Sequence, residues 1–408
     1  MAMNKDSKRK VKNVNYLSAK ESRRISRENR KATAVFEKRN NRKNVPEAEY
    51  LTKMRDPGNV VEFDDLHTHF FSDNGIVKAV DGVTFDVPAG KTVGVVGESG
   101  CGKSVTSLSL MQLVQRPQGQ IVSGSIRLNL GEKAYDIAKT PALCMQDIRG
   151  NYISMIFQEP MTSLNPVFRI GAQIDEVIEL HRDGVFGNET KDAGNRRDEK
   201  KRLAASVRAR TIEMLDLVGI ANSEGVYKMY PHELSGGMRQ RVMIAMALAC
   251  NPRLIIADEP TTALDVTIQA QILDLLRSLK DKINSSIMLI THDLGVIAEM
   301  ADYVVVMYAG RVVEKGTVQE VFGDPKHPYT IGLMASKPVV HKQIERLYSI
   351  PGKVPNPIEM PDYCYFRDRC EKCVSACAGK YPPEIYVSPT HVVSCYRYEN
   401  RKEVSADD

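Results

Sequence analysis

The feature that most constrains the fold is a glycine-rich segment at residues 97–104, which reads GESGCGKS and matches the spacing G-x-x-x-x-G-K-[ST]. It follows an apolar, strand-like stretch and opens a segment of helical period, which is the context in which such a loop binds phosphate. Glycines let successive backbone N–H groups point at phosphate oxygens, and the start of the following helix adds positive charge. The segment predicts a nucleotide site formed by Gly97, Glu98, Ser99, Gly100, Cys101, Gly102, Lys103, Ser104 and Val105.

Two side chains of this loop have specific expected roles. We expect Lys103 to reach the β- and γ-phosphates and the hydroxyl of Ser104 to bind Mg²⁺. The segment at residues 254–259, LIIADE, is an apolar strand that ends in two acids. Asp258 is expected to hold Mg²⁺ through its water shell. Glu259 is expected to act as a general base toward an attacking water.

The remainder of the chain alternates short apolar strands with helical segments. This alternation predicts an α/β fold, with a mainly parallel sheet and helices on its faces, over residues 59–323. A block of helical period at about residues 166–236 suggests a helical subdomain, interrupted at residues 182–202 by a charged stretch expected to be an exposed loop or a solvated helix. Beyond residue 323 the composition shifts to Pro, Tyr and Cys, which predicts a small irregular module over residues 324–408.

The net charge of +5 is unevenly distributed. Residues 1–58 contain 17 Lys and Arg against 7 Asp and Glu, an excess of +10 that leaves −5 for the rest of the chain. Such composition predicts a flexible or weakly helical arm, with anionic lipid or nucleic acid as its alternative ligands. No run of 18 apolar residues occurs, and no apolar segment follows the basic start of the chain, so we expect neither a membrane span nor a secretory signal.

The segment LSGGM at residues 234–238 lies between the glycine-rich loop and the strand that ends in Asp258. It opens a segment of helical period that carries Arg239 and Arg241. It resembles the signature motif of ATP-binding-cassette (ABC) ATPases, and the other motifs of that family occur in the expected order. By this resemblance, Phe71 would stack on the adenine ring of ATP, with Phe70 as the alternative. Gln158 would bind Mg²⁺ in addition to its catalytic role. Beyond the glycine-rich loop and Asp258, the resemblance implies catalytic roles for Gln158, Glu259 and His292, and nucleotide contacts for Phe71, Ser235, Gly236, Gly237 and Asp265.

This resemblance implies an ABC-type nucleotide-binding domain, in which the parallel-sheet core carries an antiparallel β subdomain and a helical subdomain. Two such domains would meet head to tail, so that Ser235 and Gly237 touch the γ-phosphate bound mainly by the partner. Gln158, Glu259 and His292 would then organise in-line attack of water on that phosphate.

Three longer segments, at residues 97–109, 153–166 and 258–271, indicate a group narrower than the ABC family as a whole. They resemble the oligopeptide/dipeptide/nickel importer subfamily, especially the first of its two ATPase subunits, and the likeness extends over about residues 60–398. It implies a peripheral subunit on the cytoplasmic face of the membrane that hydrolyses ATP to drive import of di- and oligopeptides. The implied partners are two transmembrane permease subunits, a homologous ATPase and an extracytoplasmic solute-binding protein, without nucleic acid. Import of nickel or another small solute is the alternative, and a soluble ABC ATPase without a transport role is less favoured.

Five of the eight cysteines lie between residues 364 and 395. In the reducing compartment expected here, a metal site is favoured over disulfides. The pattern resembles the C-terminal cysteines of peptide importers, which implies a [4Fe–4S] cluster on Cys364, Cys370, Cys377 and Cys395. Four thiolates suit such a cluster, but they also suit tetrahedral Zn²⁺, and Cys373 leaves the ligand set open. Either metal would stabilise this region rather than perform redox work.

Overall fold

The computed structural model describes residues 18–158, 163–187, 196–262, 265–336 and 348–399. The strands in this part of the chain are β1 Leu51–Thr52, β2 Asn59–Ser72, β3 Gly75–Pro88, β4 Thr92–Val96, β5 Gly119–Asn129, β6 Ala134–Asp136, β7 Ile153–Ile156, β8 Leu254–Asp258, β9 Ser286–Ile290, β10 Tyr303–Tyr308, β11 Arg311–Thr317, β12 Ile385–Tyr386 and β13 Val392–Val393. The helices are α1 Ala19–Asn40, α2 Lys103–Leu110, α3 Met145–Ile148, α4 Ile170–Leu180, α5 Arg182–Phe186, α6 Arg196–Leu217, α7 Ser223–Tyr227, α8 Gly236–Leu248, α9 Val266–Ile283, α10 Leu294–Met300, α11 Val318–Gly323 and α12 Pro328–Ala335.

The predicted parallel sheet is confirmed. Eight strands lie in the order β12-β13-β11-β10-β4-β9-β8-β7, and the five from β10 to β7 run parallel. On β8, Leu254 and Ile256 face one core while Ile255 and Ala257 face the other. Both faces of these strands are buried, which is why they appear in the sequence as unbroken apolar runs.

The second sheet is antiparallel, in the order β1-β6-β5-β2-β3. Its long hairpin consists of β2, which begins at Asn59, and β3, which begins at Gly75. Phe63 and Phe85 stack across the hairpin with ring centroids 4.5 Å apart. This sheet packs on β4, β8 and α2, and thereby covers the face of the parallel sheet that the helical region leaves open.

The helical block corresponds to α4 through α7, and α8 connects it to β8. α4 packs against α6, α7 and α8, and its buried residues include Ile170, Ile174 and Ile178. The charged stretch contains α5 and the start of α6, in agreement with a solvated helix; residues 188–195 lie outside the described part of the chain.

Where the sequence analysis predicted a flexible or weakly helical arm, the structure shows a long helix and a short strand within residues 18–58. Ser18 and Glu21 form a capping box that starts the 22-residue helix α1. That helix lies against the antiparallel sheet, where the side-chain amide of Asn29 donates to the Ser72 carbonyl at 2.7 Å and the Ser26 hydroxyl donates to Asp73 at 2.5 Å. Further along, β1 pairs with β6. The predicted arm at residues 1–17 lies outside the described residues.

The C-terminal region is integrated into the main fold. β13 pairs with β11 and so extends the parallel sheet by an antiparallel edge. Met360, Tyr365 and Phe366 are buried in the same core as the helical region. Among the described residues, no helix combines the length and the apolar character that crossing a membrane requires.

Candidate active site

The glycine-rich loop lies between β4, which ends at Val96, and α2, which begins at Lys103. Gly97 has φ +154°, and a Cβ on it would lie 2.2 Å from the Met307 carbonyl oxygen. Gly102 has φ +101°, and a Cβ there would lie 2.4 Å from the Ala79 carbonyl oxygen. Side chains are therefore excluded at both positions, because the loop fits tightly under β10 and β3.

Lys103 is held inside the loop that it follows. Its side chain is buried, and Nζ donates to the carbonyl oxygens of Gly97 at 2.8 Å and Glu98 at 3.2 Å. The ammonium group thus lies within the ring of backbone atoms that the sequence assigned to phosphate binding, where it can supply positive charge.

Ser104 and Asp258 meet across the ends of α2 and β8. The Ser104 hydroxyl donates to Oδ1 of Asp258 at 3.1 Å. Burial raises the pKa of Asp258, and the adjacent charge of Glu259 adds to this effect. Hydroxyl and carboxylate oxygens are ligands that Mg²⁺ prefers, and a bound cation would favour the ionised carboxylate. The pair therefore fits the predicted magnesium site.

Two of the predicted catalytic residues, Gln158 and His292, contact the carboxylate of the third, Glu259. Gln158 Nε2 donates to Oε2 of Glu259 at 3.1 Å, and Nδ1 of His292 lies 3.3 Å from Oε1. Glu259 has φ +47°, and its backbone N–H donates to the Ile290 carbonyl at 2.8 Å. A non-glycine residue in this conformation is strained, a condition typical of functional sites. Gln158 and His292, which are 134 residues apart in sequence, thus meet at Glu259 in one cluster.

Thr262 is a member of this cluster that the sequence analysis missed. Its hydroxyl donates to Oε2 of Glu259 at 3.0 Å, the same oxygen that accepts from Gln158. The only sequence signal is its position three residues after Glu259, which alone does not indicate that the turn brings the two side chains together.

The signature residues lie at an exposed helix start. Ser235 is the N-cap of α8, and its hydroxyl accepts from the Met238 N–H at 3.3 Å. Ser235 and Gly236 are exposed, and Gly237 lies beside α9. Asp265 caps α9 by accepting from the Ile268 N–H at 3.0 Å. The two residues before it, Ala263 and Leu264, lie outside the described part of the chain.

The structure separates the two candidate adenine rings. Phe71 is buried and packs on Phe36 of α1, with ring centroids 6.1 Å apart. Phe70 lies beside Val114, since a Cβ at Gly119 would meet both side chains. The ring of Phe71 is therefore engaged by α1, whereas Phe70 contacts the segment that follows α2.

The four predicted metal-ligand cysteines lie close enough to affect one another. Cys364, Cys377 and Cys395 are buried and Cys370 is half-buried, whereas Cys373 is exposed. Burial raises the pKa of Cys364 to about 12, and the neighbouring thiols of Cys377, Cys395 and Cys370 add to the shift. All the cysteines in the described residues are free thiols.

The four thiols leave open both metals considered in the sequence analysis, because four thiolates suit either tetrahedral Zn²⁺ or a [4Fe–4S] cluster. Among the described residues, the one group of three potential ligands with all ligand atoms within 4.8 Å of one another is His67, His69 and Asp81.

The histidine group itself forms an ion-pair network. Nδ1 of His67 lies 3.0 Å from Oδ1 of Asp81 and Nε2 lies 3.1 Å from Asp65. The other oxygen of Asp81 accepts from Arg311 at 2.8 Å and from the Tyr365 hydroxyl at 2.6 Å. Burial opposes ionisation of Asp81, but these hydrogen bonds, led by that from His67, and the Arg311 charge hold its pKa well below the usual range. Because Arg311 already balances the carboxylate, we interpret the group as a link between the β2–β3 hairpin and the C-terminal region.

Comparisons with known proteins agree with this geometry. A family model for the ABC transporter matches residues 80–262, and one for the oligopeptide/dipeptide transporter C-terminal region matches residues 313–377. The oligopeptide transport ATP-binding protein AppD of Bacillus subtilis is 49% identical over 340 residues, 83% of this chain and 97% of that protein. The dipeptide transport ATP-binding protein DppD of the same organism is 43% identical over 344 residues, 84% of this chain and 96% of that protein.

A solved structure with a similar fold is the dimeric, post-hydrolysis state of the ATP-binding cassette MJ0796 bound to ADP and Pi, with a TM-score of 0.51 and 24% identity. The match covers 63% of this chain and 98% of the MJ0796 chain. At this identity the match supports the fold alone. The full-length likeness to the curated relatives establishes more. The chain belongs to the ABC transporter ATPases, in the group whose members carry the oligopeptide/dipeptide transporter C-terminal region.

Proposed function

We propose that this chain hydrolyses ATP to drive a membrane importer of di- and oligopeptides. The observation that carries the proposal is the convergence of Gln158, His292 and Thr262 on the Glu259 carboxylate, in a chain that matches peptide-transport ATPases over almost their whole length. The hydrolytic cluster supports the reaction, and the relatives support the cargo.

Each residue of the cluster has a chemical role in this proposal. Lys103 and the loop N–H groups bind the phosphates, and Ser104, Asp258 and Gln158 would hold Mg²⁺, which neutralises phosphate charge when bound. Glu259 accepts a proton from the water as the water oxygen bonds to the γ-phosphorus. The bond to the β,γ-bridging oxygen breaks, and ADP and inorganic phosphate leave.

A second ATPase subunit would complete the site. Ser235 and Gly236 are exposed at the start of α8, and this N-terminus offers N–H groups to an anion from outside the chain. Nearby on the next helix, Val266 has 84% of its surface exposed. An exposed apolar side chain near an exposed helix start supports the proposed head-to-tail contact with a homologous subunit.

Permease subunits would dock beside Gln158. Phe157, Val167 and Phe168 are exposed apolar residues, at 40%, 72% and 56%, and all three lie in sequence between β7 and α4. Large exposed apolar side chains that occur together indicate an interaction surface. We therefore propose a peripheral subunit on the cytoplasmic face of the membrane, working with two permeases and an extracytoplasmic solute-binding protein.

We propose that Cys364, Cys370, Cys377 and Cys395 bind a [4Fe–4S] cluster, with Zn²⁺ as the alternative metal. The four thiols lie near one another, and burial makes an uncompensated thiolate of Cys364 costly. A metal reverses that cost by stabilising the thiolates. Anaerobically purified protein should contain about four irons per chain and absorb visible light; stoichiometric zinc without iron would contradict the assignment.

Uptake by cells tests the transport function. Cells that lack this gene should lose uptake of labelled di- and oligopeptides, and the unaltered gene should restore it. A gene encoding Glu259→Gln should not restore uptake although its product is present at the membrane, because ATP binding without hydrolysis does not drive repeated cycles. Normal peptide uptake with loss of nickel uptake would instead favour the alternative cargo.

A further inference from the structure

The C-terminal region directly contacts the phosphate-binding loop. The guanidinium of Arg369 binds the carboxylate of Glu98 through two parallel hydrogen bonds, Nη1 to Oε2 at 2.8 Å and Nη2 to Oε1 at 3.1 Å. The two residues are 271 positions apart in sequence. Paired charge-assisted bonds of this kind fix both distance and orientation.

Arg369 is held rigidly on its other side. Its Nε donates to the Pro351 carbonyl at 3.0 Å, and Nη2 also approaches the Ile350 carbonyl at 3.4 Å. Nη1 donates to the Tyr308 hydroxyl at 3.3 Å. The side chain of Arg369 is 6% exposed and that of Glu98 is 26% exposed. The arginine therefore forms a fixed anchor, while the glutamate remains accessible to water.

A second contact restrains the backbone of the same loop residue. The N–H of Glu98 donates to the hydroxyl of Tyr329 at 2.8 Å. Tyr329 is completely buried and packs against Tyr308 and Phe366, with ring centroids 4.7 and 5.5 Å away. The backbone of Glu98 is thus held by Tyr329 and its side chain by Arg369, and both of these residues follow β11 in sequence.

Glu98 passes this restraint to the nucleotide side of the loop. Its carbonyl oxygen accepts from Nζ of Lys103 at 3.2 Å and from the N–H of Cys101 at 3.2 Å. A continuous chain of hydrogen bonds therefore runs from Arg369 through Glu98 to the phosphate-binding lysine. If Glu98 moves, the preferred position of Lys103 moves with it.

The arginine is carried by a short turn bounded by two of the cysteines. The N–H of Arg367 donates to the Cys364 carbonyl, and that of Cys370 donates to the Arg367 carbonyl. Arg369 immediately precedes Cys370. The conformation of the segment from Cys364 to Cys370 consequently determines where the guanidinium lies.

We propose that Arg369 is a positioning residue for nucleotide binding, through which the turn from Cys364 to Cys370 sets the affinity of the phosphate-binding loop for ATP. The inference rests on the proposed ATP site and adds a determinant outside the family's nucleotide motifs. Arg369 acts on ATP through Glu98 and Lys103, whereas Gln158, Glu259 and His292 carry out the chemistry.

The decisive experiment measures the Kd for a fluorescent ATP analogue and the steady-state KM and kcat of the full-length protein. Arg369→Gln should raise Kd and KM about tenfold, the effect expected for losing a charge-assisted pair, with kcat nearly unchanged. Arg369→Lys should recover part of the affinity, because lysine keeps the positive charge but cannot donate two parallel hydrogen bonds to one carboxylate. Arg367→Gln is the matched control, since Arg367 lies in the same turn and pairs with Asp368 instead.

A double-mutant cycle separates positioning from general stability. Glu98→Gln should weaken ATP binding as Arg369→Gln does, and the double variant should bind no more weakly than either single variant. Additive losses, or an unchanged Kd in both single variants, would overturn the proposal. If Arg369→Gln does not fold, an unchanged Kd in Glu98→Gln would still overturn it. Failure of the unaltered protein to bind ATP would instead refute the proposed function.

Discussion

Replacing Glu259 with glutamine tests the proposed chemistry most directly, because the substitution removes the base and leaves the surrounding contacts almost intact. The glutamine side-chain oxygen can still accept from Thr262 and Gln158, as Oε2 of Glu259 does at 3.0 and 3.1 Å. Its NH₂ group would replace Oε1 and face Nδ1 of His292, which accepts a hydrogen bond when that nitrogen is unprotonated. ATP binding should therefore survive, and the loss should lie in the chemical step.

The magnitude follows from the role of the lost group. A positioned general base contributes roughly 10²–10⁴-fold, so Glu259→Gln should slow hydrolysis by about a thousandfold, or about 4 kcal/mol in the barrier. Thr262→Val is the matched control. It removes one hydrogen bond to the same carboxylate and keeps the negative charge, so the rate should fall only about tenfold.

The assay is single-turnover hydrolysis of radiolabelled ATP with protein in excess, alongside the Kd for ATP. Glu259→Gln should retain nucleotide without cleaving it. A single-turnover rate within a few-fold of the unaltered protein would refute the assignment of Glu259 as the base. A rate loss matched by an equal loss of affinity would show that Glu259 acts in binding instead.

Three further predictions address the partner site, the ion-pair network and α1. Ser235→Arg should impair hydrolysis at the partner's nucleotide more than at this chain's own, as site-specific nucleotide trapping would reveal. The hydrogen bond to Asp81 raises the pKa of His67 above its ordinary value of 6.5, so its stabilisation is present below about pH 6.5 and is lost as the pH rises through the raised value. Urea unfolding should show that His67→Gln loses more stability at pH 6 than at pH 8; an equal loss at both would contradict this. Phe36→Ala should accelerate tryptic cleavage within α1, whereas Val35→Ala, at an exposed position, should not.

The sequence was most informative where chemistry restricts residue type. Phosphate binding requires Gly97 and Gly102, whose absent side chains leave room for neighbouring backbone atoms. Buried parallel strands require unbroken apolar runs, and Asp258 ends one of them. These constraints are local, so spacing along the chain was sufficient to predict the loop, the sheet and the strand-end acids.

Docking of α1 could not be predicted by the same reasoning. Its buried positions are Asn29 and Thr33, so the helix lacks the apolar stripe that usually indicates a packed face. The contacts that hold it are hydrogen bonds to the C-terminal end of β2 and to β5, and the ring of Phe36 on Phe71. One aromatic contact and several polar ones leave no periodic signal, and the basic composition instead favoured a flexible or weakly helical arm.

The pairing of Arg369 with Glu98 was equally hidden, and it changes how the C-terminal region is understood. The region adds strands to the edge of the parallel sheet and buries Tyr365 and Phe366 in the core of the ATPase, so it is not a module attached by a linker. Because its arginine holds a residue of the phosphate-binding loop, the full set of ABC motifs is insufficient to determine nucleotide affinity in this chain. A change at the cysteines that moves this turn should therefore affect ATP binding before it affects catalysis, since the contacts of Glu259 all come from elsewhere.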